Sequence, residues 1–97
     1  MPTYVVLIDW TQQGVVNFGD SVDRYEAARS QFEAMGVHFK DIYWTLGNHD
    51  IVSVVDAPDG ETLAAALLRL ASQGNLRTTT LRALSADEMR SVIAKAR

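Results

Sequence analysis

Tyr43-Trp44-Thr45-Leu46-Gly47-Asn48-His49-Asp50-Ile51-Val52-Ser53-Val54-Val55-Asp56-Ala57-Pro58-Asp59 is the stretch whose reading decides the fold. Ile51 to Asp56 is too short and too rich in Val and Ile for a helix, so it reads as a strand. The run before it, Val37 to Thr45, alternates. Val37, Phe39, Asp41, Tyr43 and Thr45 are expected on one face, with His38, Lys40, Ile42 and Trp44 on the other. Leu46 to Asp50 is the corner between them, which makes the two strands an antiparallel pair. Turn chemistry accounts for Gly47, Asn48 and Asp50: Asn tolerates a left-handed backbone, and an Asp carboxylate accepts from local amides. Pro58 closes the second strand because it has no amide to give to a ladder.

Upstream, Tyr4 to Trp10 is β-branched and aromatic and runs into Thr-Gln-Gln-Gly, a loop signal, so it reads as the first strand. From Asp20 or Ser21, Val22, Tyr25, Ala28, Phe32 and Met35 recur at steps of three or four. Gly36 then stops the helix. Downstream, Asp59 or Gly60 starts a helix with Leu63, Ala64, Leu67, Leu70 and Ala71 on one stripe, ended by Gln73-Gly74. Leu76 to Leu84 is a Thr-rich fourth strand. Ser85 and Glu88 stand in capping-box register ahead of Met89, Val92, Ile93 and Ala96, which predicts a C-terminal helix.

The order is βαββαβ plus a helix in one domain of residues 1 to 97. This is the α+β, ferredoxin-like arrangement of an antiparallel four-stranded sheet with two helices on one face. A sheet with one wet face alternates cleanly between apolar and polar residues. Here Val5-Val6-Leu7-Ile8 and Val54-Val55 place apolar side chains on both faces. The open face therefore needs a cover, and the simplest cover is a second copy of the same sheet, a two-fold homodimer.

Composition narrows the partners. Hydrophobic residues make up 47% of the chain and charged residues 22%, an ordinary globular balance. The net charge of -3 comes without a basic block or an aromatic-plus-basic ladder, which argues against nucleic acid. With no long apolar run and no leader ahead of Tyr4, the chain is expected to be cytoplasmic and away from membranes. There is no Cys, hence no thiolate chemistry. His38 and His49 lie eleven residues apart with no third ligand in register, so no metal and no cofactor are expected.

The motifs resemble the GYD domain family of small bacterial and archaeal proteins. They are Tyr4, Leu7 and Trp10-Thr11-x-x-Gly14; Tyr43 and Gly47-x-x-Asp50; Asp56-Ala57-Pro58-Asp59; Gly74-Asn75-x-Arg77-Thr78 and Arg82-Ala83. The resemblance covers most of the chain and implies a ferredoxin-like domain similar to the dimeric α+β barrel proteins. It implies little about chemistry, the family being functionally uncharacterised. By the spacing of Gly47 and Asp50, His49 stands where the family carries its name-giving Tyr.

No phosphate loop, nucleophile elbow or Ser-His-Asp spacing occurs. His49 is the candidate catalytic residue, since only imidazole changes charge near neutral pH. Being adjacent, His49 and Asp50 point apart on an extended chain and do not pair without a bend. Trp10, Tyr43, Trp44, His49 and Arg82 are the candidate ligand-binding residues, with core or interface packing as the alternative for the aromatics. Asp9, in an apolar strand, is expected to pair with Arg82 or Arg77 on the neighbouring fourth strand. The functional expectation is a homodimeric module holding a small, partly apolar molecule near Tyr43, Trp44 and His49. The alternative is a cofactor-independent monooxygenase or isomerase with His49 as general base.

Overall fold

The computed structural model describes residues 1–97. Its strands are β1 (Thr3–Trp10), β2 (His38–Trp44), β3 (Ile51–Asp56) and β4 (Leu76–Ala83), and its helices α1 (Gln12–Val16), α2 (Ser21–Ala34), α3 (Gly60–Ala71) and α4 (Ala86–Ala96). The four strands form one antiparallel sheet in the order β2-β3-β1-β4. With α2 and α3 crossing over one face, this is the ferredoxin-like fold, extended by α4. The short α1 and the 3-10 turn Phe18–Asp20 that follows it lie where the sequence suggested only a loop.

Alternation along the strands sorts the side chains. Val6 and Ile8 of β1 and Ile51, Ser53 and Val55 of β3 point to the helices and are buried. They pack with Ala28 and Phe32 of α2 and Leu63, Ala66 and Leu70 of α3 in one core. Val5, Leu7, Val52 and Val54 occupy the alternate positions, on the open face, where they are half-buried. The apolar two-faced pattern of the sequence thus becomes a helix-covered core on one side and a second apolar layer on the other.

In β2 the expected alternation fails. A register shift between Phe39 and Asp41 lets one residue slip, so Phe39 shares the helix face with Ile42 and Trp44, while Asp41 and Tyr43 face out. Phe39 then stacks on Phe32 at 5.1 Å between ring centroids and meets Tyr25 edge-on at 5.5 Å. A period of two cannot foresee a bulge, because the extra residue is selected by packing across the core.

The β1 end is clamped to the β4 start. Thr11 caps α1, accepting from the Gly14 amide, and its hydroxyl donates to Gly74 O at 2.6 Å. The Thr11 amide donates to Asn75 O, and the Gln13 amide group donates to Gln73 O and Asn75 Oδ1. At Gly14 a Cβ would sit 2.0 Å from Asn75 O, so only hydrogen fits. The Trp10-Thr11-x-x-Gly14 and Gly74-Asn75 motifs are the two halves of one structural lock.

Candidate functional site

The site is built around the β2–β3 corner. Gly47, at φ 116°, takes the left-handed turn in place of Asn48; no residue other than glycine has positive φ. Beyond it, the Thr45 hydroxyl donates to His49 O at 2.6 Å and the Thr45 amide to Asp50 O at 2.8 Å. Asp50 does not serve local amides. Its carboxylate accepts from the Trp10 amide at 2.9 Å and its own amide donates to Ile8 O, so it welds the corner onto the end of β1.

That weld brings His49 to Asp9. The His49 Nδ1 lies 3.2 and 3.3 Å from the two Asp9 carboxylate oxygens. The side chains are 36% and 29% exposed, open enough for a partner to reach and sheltered enough to be ordered. A ring held by a carboxylate through Nδ1 keeps Nε2 as its outward nitrogen, the orientation that suits proton transfer or hydrogen bonding to a partner. Asp9 thus finds its partner in His49, in place of the arginines expected from the strand order. Arg77 stands opposite Asp9 in the β1–β4 register but forms no ion pair with it.

The other named residues scatter. Tyr43 points out from the open face and is 61% exposed, on the same side of the sheet as Asp9. Trp44 points to the helix side, donates from Nε1 to Ser21 Oγ at 2.9 Å and meets Tyr25 edge-on. Trp10 follows Ile8 on the helix side, and its indole N–H is buried without a partner. Arg82 lies five residues along β4 from Arg77, about 17 Å away at strand rise. It stacks over the Tyr4 ring, donates to Thr3 O and pairs with Glu88 of α4 at 3.2 Å. The Ser85 amide, and after it the Arg82 guanidinium, hold the Glu88 carboxyl below its ordinary range. Of the candidate residues, the fold gathers Tyr43 and His49 on one face with Asp9, and places Trp10, Trp44 and Arg82 elsewhere.

A cavity does lie between sheet and helices. It measures about 30 Å³ and is lined by Ile8, Tyr25, Phe39, Ile42, Ile51 and Leu70 among others. That is room for a few water molecules at most. The larger apolar feature is the open face itself, with Val5 and Leu7 of β1, Val52 and Val54 of β3, and Leu81 of β4 opposite Val5. Asp9 and His49 border it at one end. Thr3, Asp56 and Lys40 border it at the other, Thr3 donating to Asp56 at 2.6 Å and Lys40 lying 4.0 Å from the same carboxylate. Sequence reasoning named the pattern of this face but missed Asp9 as the orienting partner of His49, because a contact across 40 residues leaves no periodic trace.

The GYD domain family model matches residues 4–93. The chain belongs to the GYD domain family. A relative is the glutamine synthetase and cystathionine beta-lyase binding protein of Thermus thermophilus, 36% identical over 90 residues that cover 92% of this chain and 95% of that protein. Among solved structures, the crystal structure of TTHA0845 from Thermus thermophilus superposes with a TM-score of 0.57 at 25% identity, covering 89% of this chain and 96% of the other. In this GYD domain the family's Gly-x-x-Asp corner is the Gly47 turn and the Asp50 weld. The side chain between them, His49, is the one that reaches outward to a titratable partner. No helix is long and apolar enough to cross a membrane.

Proposed function

We propose that this GYD domain is a protein-binding module that acts as a homodimer joined through the open face of its sheet. The observation that carries the reading is that face: Val5, Leu7, Val52, Val54 and Leu81 form an apolar layer across three strands with no helix of their own chain above it. Apolar burial contributes roughly 25 cal/mol per Å², so a second sheet laid over this layer is the cover that stabilises it most evenly. The name of the Thermus relative supports protein partners, and glutamine synthetase and cystathionine beta-lyase are the ones to try first. A small, partly apolar ligand fits the same scheme between two open faces, beside Tyr43 and His49, better than in a cavity of about 30 Å³.

Light scattering on the purified protein should give twice the 10.7 kDa chain mass, and Val54→Asp should return it to one. Calorimetry against purified glutamine synthetase and cystathionine beta-lyase then tests the partner class. A wild-type monomer that binds neither enzyme would end the reading.

One observation favours a second reading. His49 oriented by Asp9 is the geometry of a general base, and cofactor-independent proton abstraction from a substrate on the open face would use it. That reading requires a turnover that falls at least about tenfold in both His49→Ala and Asp9→Asn.

A further inference from the structure

Helix α4 is well started and badly employed. Ser85 and Glu88 close a full capping box around its first turn, and the Arg82 to Glu88 pair fixes its root, yet none of its residues is buried. Met89, Val92, Ile93 and Ala96 form a stripe about 10 Å long on one face, exposed throughout. The radius of gyration is 14.6 Å, against about 12.5 Å for a compact chain of this length. The accessible surface is 6188 Å², against about 5,500 Å² for a compact monomer of this mass. The difference, about 700 Å², is close to the ~800 Å² that each partner gives up in a standard interface.

A second exposed apolar patch lies at the opposite end of the sheet. Val16, Phe18 and Val22 stand out from α1, the 3-10 turn and the start of α2, with Phe18 67% exposed. The chain reaches this patch just after Trp10, whereas α4 leaves the sheet beside Thr3, the other end of the eight-residue β1. That is about 26 Å of strand away, more than the ~16 Å length of α4. The chain's own helix therefore does not cover its own patch. The charges are complementary. Asp20, Asp23 and Glu26, all exposed, flank Phe18 and Val22, the intervening Arg24 being turned onto Asn17 O and Gly14 O, while Lys95 and Arg97 lie beside the α4 stripe and Arg90 pairs with Asp87 on its own helix.

We propose that α4 is an exchanged arm: its Met89, Val92 and Ile93 dock on Val16, Phe18 and Val22 of a second copy, whose own α4 returns the contact. This rests on the self-association in the preceding reading and adds to it a specific interface. A two-fold axis between the facing sheets and across the strands sets the Thr3 end of one copy over the Trp10 end of the other, within reach of the arm. Mutual exchange closes the pair, so the apolar stripe is used up and does not propagate into a filament.

The test is the dimer dissociation constant, by sedimentation on the full chain, for wild type and variants. Ile93→Asp and Phe18→Asp should each raise it at least about tenfold, and far-UV circular dichroism should stay native because neither residue belongs to the core. Reversing Lys95 and Arg97 to Glu should weaken the dimer. Adding Asp23→Lys and Glu26→Lys to the same chain should restore it, which only a contact between these two surfaces predicts. An unchanged constant in Ile93→Asp, with Val54→Asp still monomeric, overturns the arm and leaves the sheet interface standing. A failure of the charge reversal to recover overturns the Phe18 patch as the receiving surface. A monomeric wild type overturns both proposals.

Discussion

The Asp50 carboxylate accepts from the Trp10 amide at 2.9 Å, and through that bond the β2–β3 corner is held against the end of β1. The same closure brings His49, one residue earlier, to 3.2 Å from Asp9, one residue before Trp10. One structural bond and one candidate functional pair are thus neighbours on the same two segments.

Removing the weld should loosen the pair. Asp50→Ala leaves the Trp10 amide without its charged acceptor, which costs about 1–3 kcal/mol. It should also broaden or move the His49 ring resonances in NMR spectra. Stability lost without any change at His49 would separate the two and refute the coupling.

His49 itself should matter little for folding. The pair is about a third exposed, and side-chain contacts of that kind contribute under about 1 kcal/mol. His49→Ala should therefore unfold in denaturant within about 1 kcal/mol of wild type while changing affinity for a partner or substrate. A larger stability loss would mark the pair as a fold device.

Gly14→Ala, at the one buried position of α1, should be among the most damaging substitutions. The new methyl would meet Asn75 O at 2.0 Å, a backbone atom in the α1 lock that cannot swing away. Forced repacking of this kind costs about 2 kcal/mol or more, a loss of roughly 10 °C in Tm for a domain of this size. Differential scanning calorimetry decides it, and a near-native Tm would mean that the lock yields.

Acid should fray the caps before it unfolds the sheet. The Thr62 amide donates to Asp59 at 2.7 Å and lowers its carboxyl below the ordinary range, as the Ser85 amide does for Glu88. A folded-state pKa depressed below the unfolded value contributes stability that is fully present above the unfolded value. That stability is lost as the pH falls through the folded one. Helicity should therefore be flat from neutral pH down to about pH 5 and fall below it. Glu88→Gln should remove the part of that fall that belongs to α4. An unaltered acid limb in the variant would clear Glu88 of the effect.

Element types and order were legible along the chain because they rest on local signals. Ser85 and Glu88 cap α4 as their spacing requires, Asp59 caps α3, and Ile51 to Asp56 alternates buried and half-buried as a half-covered strand must. The apolar open face was legible too, in Val5, Leu7 and Val54. Only the tertiary structure decided the side of the sheet on which Phe39 falls, since the bulge that turns it inward answers to Phe32 and Tyr25 across the core. It also decided that Asp9 orients His49 while Arg82 serves α4. Periodicity reports which residues avoid water along one segment. Which polar group meets which is settled by register and strand order, and those are set by the core as a whole.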